Sequence, residues 1–355
     1  MASSSTSSSH TLLDIISSCH NYPHPLFSSP TTDEYHAFHL HLGDTPTLQI
    51  GFIPRSVFER IQADGSATFV ISPNHNGNAA VGLSPSLNNF QKRSTALNAI
   101  VRKWKDAGLF KSALDGWRNE QYAIYGGEEL PRGQQGSSTY YSSSDPAVRS
   151  NTRPNPPAFE LERAACALFG LVTFGVHLTA YTTTQEATSQ PDAGTLHLWT
   201  PRRAENKATW PGYLDNSVAG GITSGDRPRQ SMIRECWEEA GLTEEIVRPR
   251  LKQVGVITYV YRTPEGYLQP EVEYVYDLPL PQHVIPKPID GEAQDFQLLD
   301  VQQVRTEMEN GRFKPNCALV IIDFLIRHGV ITAEDEPRYQ DVVTLLHNNL
   351  AMPGP

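Results

Sequence analysis

Apolar residues in the first third of the chain follow two different periods. Residues 11–23 carry apolar side chains at helical spacing and end at a proline, which predicts a short helix. Residues 36–44 and 48–53 have the extended pattern of strands. Residues 56–62 and 95–110 return to the helical period, so this part of the chain is predicted to mix helices and strands.

The same two periods continue toward the C terminus. The extended pattern predicts strands at residues 172–182, 196–204, 252–263 and 272–280. Helical spacing predicts helices at residues 159–171, 301–311 and 314–329. The last of these helices has a dense apolar face, so we expect it to cover a sheet.

Two stretches show neither period, and they divide the chain. Residues 1–10 are rich in Ser and should be disordered, because such a segment buries too little apolar area to offset its ordering entropy. Ser, Pro and Gly dominate the stretch after residue 127, which indicates a linker. The predicted parts are a disordered N terminus at 1–10, an N-terminal domain at 11–127, a linker at 128–158, a second domain at 159–334 and a peripheral C-terminal tail at 335–355.

The stretch 220–242 contains the strongest chemical signal. Pro228 suits the first turn of a helix, Asp226 stands where an N-cap would, and Gly241 supplies a stop. This helix has apolar residues on one face: Ile233, Cys236, Trp237 and Ala240. It has three carboxylates on the opposite face: Glu235, Glu238 and Glu239.

Three acidic groups at this spacing repel one another, at a cost of a few tenths of a kcal/mol for each pair. A divalent cation would remove the repulsion, and Mg²⁺ prefers carboxylate and phosphate oxygens. Charge patterning alone favours a solvated acidic helix face. An Mg²⁺ site, with Mn²⁺ as the alternative metal, is the competing interpretation.

The spacing of these residues resembles the Nudix box, G-x5-E-x7-R-E-U-x-E-E-x-G-U, with Gly220 in first place and Arg234 before the carboxylates. The chain departs from the box at Asp226, where the family has Glu, and at Cys236, where it has a bulky aliphatic residue. The resemblance implies an α/β/α sandwich with a mixed sheet, preceded here by a smaller α+β domain. It also implies metal-dependent hydrolysis of a diphosphate, a small-molecule substrate.

The resemblance further implies roles for particular residues. In the family, the arginine corresponding to Arg234 orients the catalytic glutamates, of which Glu238 is one here. The implied metal ligands are Glu235, Glu238, Glu239 and the carbonyl group of Gly220. Many members draw a base or a further ligand from a loop outside the box, and Glu292 is our candidate for that role. Glu273, on a predicted strand, is the competing carboxylate.

A second motif, GWRNEQY, resembles the N-terminal domain that precedes the Nudix domain in proteins related to thiamine pyrophosphokinase. The matching residues are Trp117, Arg118, Glu120 and Tyr122. That subfamily implies thiamine diphosphate, or its oxidised derivatives, as the substrate. The aromatic, basic and acidic groups could bracket a flat cationic ring, or they could anchor one domain on the other. In the wider Nudix fold, strand residues that precede the box line the pocket, which implies that a cluster of cations here could clamp the diphosphate: Arg202, Arg203 and Lys207. A solvated basic strand end is the competing interpretation.

The composition of the chain argues against several classes of binding partner and cellular compartment. The 355-residue chain has a formal net charge of -10, which argues against non-specific binding to nucleic acid or to an anionic membrane. Its four cysteines form no CxxC pair, which fits a reducing compartment and no structural zinc. We find no apolar run long enough for a membrane span, and the first residues lack the basic groups of a targeting signal, so we expect the cytosol. The oligomeric state is left open.

Two rival functions stay open. One is a Nudix enzyme with another specificity, either a hydrolase for nucleoside or isoprenoid diphosphates or a diphosphate isomerase. The other is a module that binds thiamine diphosphate without turnover. The complete RExxEE segment argues against the second, because a sensor has no need of three repelling carboxylates.

Overall fold

The computed structural model describes residues 10–22, 34–42, 49–65, 67–73, 79–126, 156–183 and 196–355. Residues 1–9 of the predicted disordered N terminus and most of the predicted linker lie outside these ranges. The helices are α1 (Leu12–Cys19), α2 (Arg55–Asp64), α3 (Phe90–Asp106), α4 (Lys111–Leu114), α5 (Pro228–Ala240), α6 (Glu244–Val247), α7 (Val301–Glu309), α8 (Pro315–Arg327) and α9 (Tyr339–Leu346). The strands of the N-terminal part are β1 (Tyr35–His39), β2 (Gln49–Pro54), β3 (Phe69–Pro73), β4 (Ala79–Leu83), β5 (Gln121–Tyr125) and β6 (Pro157–Glu162). The strands of the C-terminal part are β7 (Thr173–Thr183), β8 (Leu196–Arg203), β9 (Val218–Gly221), β10 (Lys252–Arg262), β11 (Leu268–Pro279) and β12 (Ala293–Asp300).

The larger sheet has the strand order β10-β11-β7-β8-β12, and the short strand β9 pairs with β7. β11 and β7 are parallel, whereas the other pairs in this sheet are antiparallel. Helix α5 packs on one face through Met232, Cys236 and Ala240. Helices α1, α7, α8 and α9 cover the other face. This confirms the predicted α/β/α sandwich with a mixed sheet.

The N-terminal part has its own four-stranded sheet, in the order β2-β1-β4-β3. Trp104 of α3 is fully buried in its core. Strand β6 and the segment after it contribute Phe159 and Phe169 to the same core. The core of the smaller unit therefore includes residues C-terminal to the predicted linker, and the domain boundaries stay a prediction.

Residues 159–171 do not form the predicted helix. They continue β6 and then form a 3-10 helix, Arg163–Phe169, which ends at Gly170 with a φ of 55°. Pairing with β5 explains the difference, because Phe159 and Leu161 enter the core as alternate residues of a strand. Tertiary packing has overridden the local helical spacing here.

The C-terminal tail is not peripheral, contrary to prediction. Val342 and Leu346 of α9 are fully buried. They share a core with Ile16 of α1 and with α8, so both ends of the described chain help to cover the larger sheet. All four cysteines are buried and unpaired, as expected of small apolar side chains. No helix in the described part of the chain is long and apolar enough to span a membrane.

Candidate active site

Helix α5 begins at Pro228 and ends at Gly241, whose φ of 63° is the left-handed conformation that glycine accepts readily. Two details of the predicted helix are wrong. Asp226 does not cap it, because the Asp226 carboxylate accepts hydrogen bonds from Arg234 and from the Ser231 hydroxyl, each at 3.3 Å. Trp237 is 54% exposed, because the buried stripe runs through residues four apart and Trp237 lies one position beyond it.

Arg234 joins the acidic residues of the box. Its Nη1 lies 3.0 Å from Glu235 Oε1 and 3.2 Å from Glu238 Oε2, while Nη2 holds Asp226. The guanidinium therefore fixes the position of two box glutamates, which is the contact that the family resemblance implies. Glu238 is about half exposed, whereas Glu235 is mostly buried.

Glu239 points away from this group. Its Oε2 accepts a hydrogen bond of 3.0 Å from the main-chain amide of Ala219 in β9. Oxygens of Glu239, Asp290 and Glu292 lie within 4.8 Å of one another, close enough to share one metal ion. Asp290 is absent from the predicted ligands, although its place two residues before Glu292 in the same loop is a signal that could have found it.

Burial makes these carboxylates unfavourable as anions. It raises the pKa of Glu235 to about 7, and Glu238, Glu120 and Glu292 add to the shift while Arg234 opposes it. Burial also raises the pKa of Glu239 well above its usual range, with a further contribution from Asp215 and Glu235. A hard divalent cation would favour the ionised forms of both. The donor set therefore fits a divalent ion, held by Glu239, Asp290 and Glu292 beside Glu235.

Gly220 is needed for the close approach of helix and strand. A Cβ atom on it would lie 2.6 Å from Glu235 Oε1. The absence of a side chain therefore lets the Glu235 carboxylate lie against β9. That the carbonyl group of Gly220 is a metal ligand stays a prediction.

The three predicted clamp cations already have partners. Arg203 lies 2.5 Å from Asp215 Oδ2 and also donates to two main-chain carbonyl groups, those of Thr209 and Trp210. Arg202 donates to the Gly212 carbonyl at 3.0 Å. The Lys207 ammonium lies 2.6 Å from Glu292 Oε2. Substrate binding by these three residues stays a prediction.

Burial raises the pKa of Glu292, but the hydrogen bond and charge of Lys207 outweigh it, so that the pKa is lowered on balance. Arg118 and Arg203 act in the same direction. Glu292 is thus ionised at neutral pH. One of its oxygens contacts the Lys207 ammonium, and its carboxylate lies close to those of Asp290 and Glu239. An ionised carboxylate at this place can accept a proton or bind a cation.

The GWRNEQY motif contacts the loop of the box. The Tyr122 hydroxyl lies against Gly221, where a Cβ atom would overlap it. Glu120 accepts hydrogen bonds from Thr223 at 3.3 Å and from Arg163 at 3.1 Å. The main-chain carbonyl of Gln121 accepts from the amide of Ser224 at 2.7 Å. The motif thus attaches the N-terminal part to the active-site loop.

Trp117 forms part of a cavity of about 270 Å³ next to this contact. The Arg102 guanidinium lies 4.0 Å from the centre of its ring. The fully buried Glu162 also lines the cavity, and its Oε1 accepts a hydrogen bond of 3.0 Å from the Arg118 amide. Its Oε2 has no hydrogen-bond partner among the residues that the structure describes. Glu162 is absent from the residues predicted from the sequence, since only tertiary packing brings it beside the motif.

Glu273 lies on the other face of the sheet, in a buried polar network. It is 4% exposed, its Oε2 is 3.5 Å from His177 Nε2, and its Oε1 accepts a hydrogen bond of 3.0 Å from Tyr259. The Tyr259 hydroxyl also donates to Glu271. Burial raises the pKa of Glu273, but His177 outweighs it and lowers the value to about 2. These contacts favour Glu292 over Glu273 as the carboxylate that meets a substrate.

We predict that Gly221→Ala destabilises the protein by about 1–3 kcal/mol, because the added methyl group must displace the Tyr122 ring from a packed contact. Gly255→Ala is the matched control: it lies in a strand with no atom within 4 Å of its added Cβ, and we expect a change within about 0.5 kcal/mol. Urea denaturation measures both. Equal stabilities of the two variants would contradict a tight contact between the motif and the box.

Comparisons with known proteins identify related domains and relatives. A model of the NUDIX domain matches residues 190–318, and a model of the Domain of unknown function (DUF4743) matches residues 20–127. The Uncharacterized protein YJR142W of Saccharomyces cerevisiae is 33% identical over 275 residues, which cover 74% of this chain and 70% of that protein. Nudix hydrolase 20, chloroplastic, and Nudix hydrolase 24, chloroplastic, of Arabidopsis thaliana are 38% and 37% identical over 210 residues, or 57% of this chain. The match spans about half of each plant protein, 53% and 54%.

Proposed function

The chain belongs to the Nudix family of pyrophosphohydrolases, with a DUF4743 domain ahead of its Nudix domain, and we propose that it cleaves thiamine diphosphate or its oxidised derivatives to the monophosphate and phosphate. The reaction would depend on Mg²⁺, with Mn²⁺ as the alternative. Cytosol is the proposed compartment, although the two plant relatives are named as chloroplastic. The substrate would be a free small molecule, and the protein would bind neither nucleic acid nor a membrane.

One observation carries the hydrolase proposal: Glu239, Asp290 and Glu292 converge beside the box carboxylate Glu235. A divalent ion bound there would neutralise charge on the diphosphate oxygens and lower the pKa of the attacking water. The other box residues support the site. Arg234 holds Glu235 and Glu238 in place.

The chemical step needs a base and a fixed substrate. Water attacks phosphorus, the phosphoanhydride P–O bond breaks, and the water proton passes to a carboxylate. Glu292 suits that role where Glu239 and Asp290 hold the ion without it, because Lys207 and Arg118 keep its pKa low enough for the anion to prevail at neutral pH. Lys207 would also orient it through the contact of 2.6 Å.

The N-terminal cavity supports a substrate with a flat cationic ring. An unpaired carboxylate oxygen on Glu162 would attract such a group, and the Trp117 ring, whose face already holds the Arg102 guanidinium at 4.0 Å, lines the same cavity. The same motif is bonded to the box loop through Glu120 and Tyr122, so ring and diphosphate could be held by neighbouring parts of one site. Thiamine diphosphate has both groups, which is why we prefer it to nucleoside or isoprenoid diphosphates.

We expect the purified protein to release phosphate from thiamine diphosphate or its oxidised forms in a panel of diphosphates, and EDTA to abolish the release. Glu238→Gln should lower the rate by about 10- to 100-fold, because it removes a box carboxylate that Arg234 positions. Glu245→Gln, which changes an exposed acid outside the box, is the matched control and should keep full activity.

The outcomes separate the rival functions. Metal-dependent cleavage of other diphosphates alone would leave the hydrolase and overturn the thiamine assignment. Rearrangement of an isoprenoid diphosphate without phosphate release would indicate an isomerase. Binding of thiamine diphosphate with no turnover in wild type or Glu238→Gln would indicate a sensor.

A further inference from the structure

A small pocket opens beside the carboxylate cluster. Its volume is about 50 Å³, and Glu239, Glu292 and Lys314 are among the residues that line it. A cavity needs roughly 10–15 Å³ on this scale to hold one water, so the pocket has room for about three or four. That space suits one phosphoryl group.

Lys314 is exceptional among the cations of this pocket. It precedes helix α8, and its main-chain amide donates to the Leu214 carbonyl at 2.9 Å. Among the residues that the structure describes, no carboxylate oxygen lies within 4.0 Å of its ammonium group. Arg203, which lines the same pocket, is by contrast paired with Asp215 at 2.5 Å.

Asp215 is near Lys314, but its oxygens are already used. Oδ2 accepts from Arg203, while Oδ1 accepts from the Cys317 thiol at 2.6 Å and from the Asn216 amide at 2.9 Å. Burial raises the pKa of Asp215, but Lys314 and Arg203 outweigh it and lower the value to about 2. The Lys314 ammonium therefore stabilises the Asp215 carboxylate through its charge but forms no ion pair with it within 4.0 Å.

Lys314 is cationic at neutral pH. Burial lowers the pKa of its ammonium group, but electrostatic interactions with the Cys317 sulfur and the Asp215 carboxylate outweigh burial and raise it. Lys314 is partly buried, and an ammonium in such a place without an anionic partner loses hydration that a ligand with an anionic oxygen can offset.

We propose that Lys314 binds a phosphoryl group of the diphosphate substrate, in the pocket that it shares with Glu239 and Glu292. The proposal rests on the proposed function and adds to it a binding residue outside the box. An ammonium is a compact point charge that suits phosphate oxygens. The carboxylates that line the same pocket, Glu239 and Glu292, would hold a divalent cation that neutralises further phosphoryl charge.

The first test is kinetic. Lys314→Met keeps the length of the side chain and removes the charge, so we expect KM for the diphosphate to rise by about 10- to 100-fold, as for loss of a hydrogen bond to a charged group, with a smaller change in kcat. Lys314→Arg keeps the charge and should recover most of the affinity. Lys252→Met removes one positive charge from an exposed strand position and should leave KM unchanged.

The second test uses inorganic pyrophosphate with Mg²⁺, measured by titration calorimetry, and needs no turnover. We expect Lys314→Met to bind it about 10- to 100-fold more weakly than wild type. Lys314-dependent binding in a protein that cleaves no diphosphate would overturn the proposed function and support this inference. Normal KM and normal pyrophosphate affinity in Lys314→Met would overturn the inference and leave the hydrolase intact.

A third measurement works if Lys314→Met fails to fold. Reductive methylation of wild type, read by peptide mass spectrometry, should be slower at Lys314 with pyrophosphate than with chloride at equal ionic strength. Equal rates would overturn the inference. A purely structural role, as counter-charge to Asp215, predicts that Lys314→Met loses stability in urea while KM and pyrophosphate affinity stay normal.

Discussion

Replacing Glu239 by Gln should lower kcat/KM by about 1000-fold, equivalent to about 4 kcal/mol of lost transition-state stabilisation. The reason is geometric: Glu239 brings together the box helix and the loop that carries Asp290 and Glu292. Without its charge, the remaining carboxylates would hold a divalent ion weakly. Steady-state rates at saturating Mg²⁺ measure this loss, and Glu245→Gln is the control for a general loss of negative charge.

The same substitution should stabilise the metal-free protein. Burial raises the pKa of Glu239 well above the ordinary glutamate value of 4.5, so the folded state favours the protonated form. Its contribution to stability is present in full below that pH and is lost as the pH rises toward the folded-state pKa. At pH 8 in EDTA, Glu239→Gln should therefore melt above wild type, and Mg²⁺ should stabilise wild type more than the variant. A variant that keeps wild-type activity and Mg²⁺ response would contradict the assignment of Glu239 to the metal site.

Replacing Arg203 by Met should cost about 3–5 kcal/mol of unfolding free energy, since it leaves the buried Asp215 carboxylate without its closest cation. The substitution also removes the donors to two carbonyl groups of the loop before β9. Arg202→Met is the matched control, because that residue donates to one carbonyl group, and we expect a loss of about 1 kcal/mol. Urea denaturation at pH 7 measures both.

This experiment also tests the predicted clamp. If Arg203 mainly binds diphosphate, Arg203→Met should raise KM and leave the denaturation midpoint near that of wild type. If it mainly fixes Asp215, the midpoint should fall while KM at low temperature changes little. The contacts with Asp215, Thr209 and Trp210 favour the second outcome.

Local sequence signals were sufficient to predict those helices and strands whose ends and periodicity depend on neighbouring residues alone. Pro228 and Gly241 bound the box helix because one restricts φ and the other accepts a positive φ. The strands β7, β8, β10 and β11 and the helices α7 and α8 also follow their periodicity. The local periodicity predicted a helix at residues 159–171, but pairing with β5 makes the first part of this segment a strand.

The box spacing by itself determined that Arg234, Glu235, Glu238 and Glu239 share one helix, since a helix repeats every 3.6 residues whatever surrounds it. Only the tertiary structure decided which partners these side chains have. It brings Asp290 and Glu292 to Glu239, pairs Arg203 with Asp215, and leaves Lys314 without a partner in the described part of the chain. Such contacts join residues far apart in sequence, and their geometry depends on how helices and strands pack, which no local period encodes.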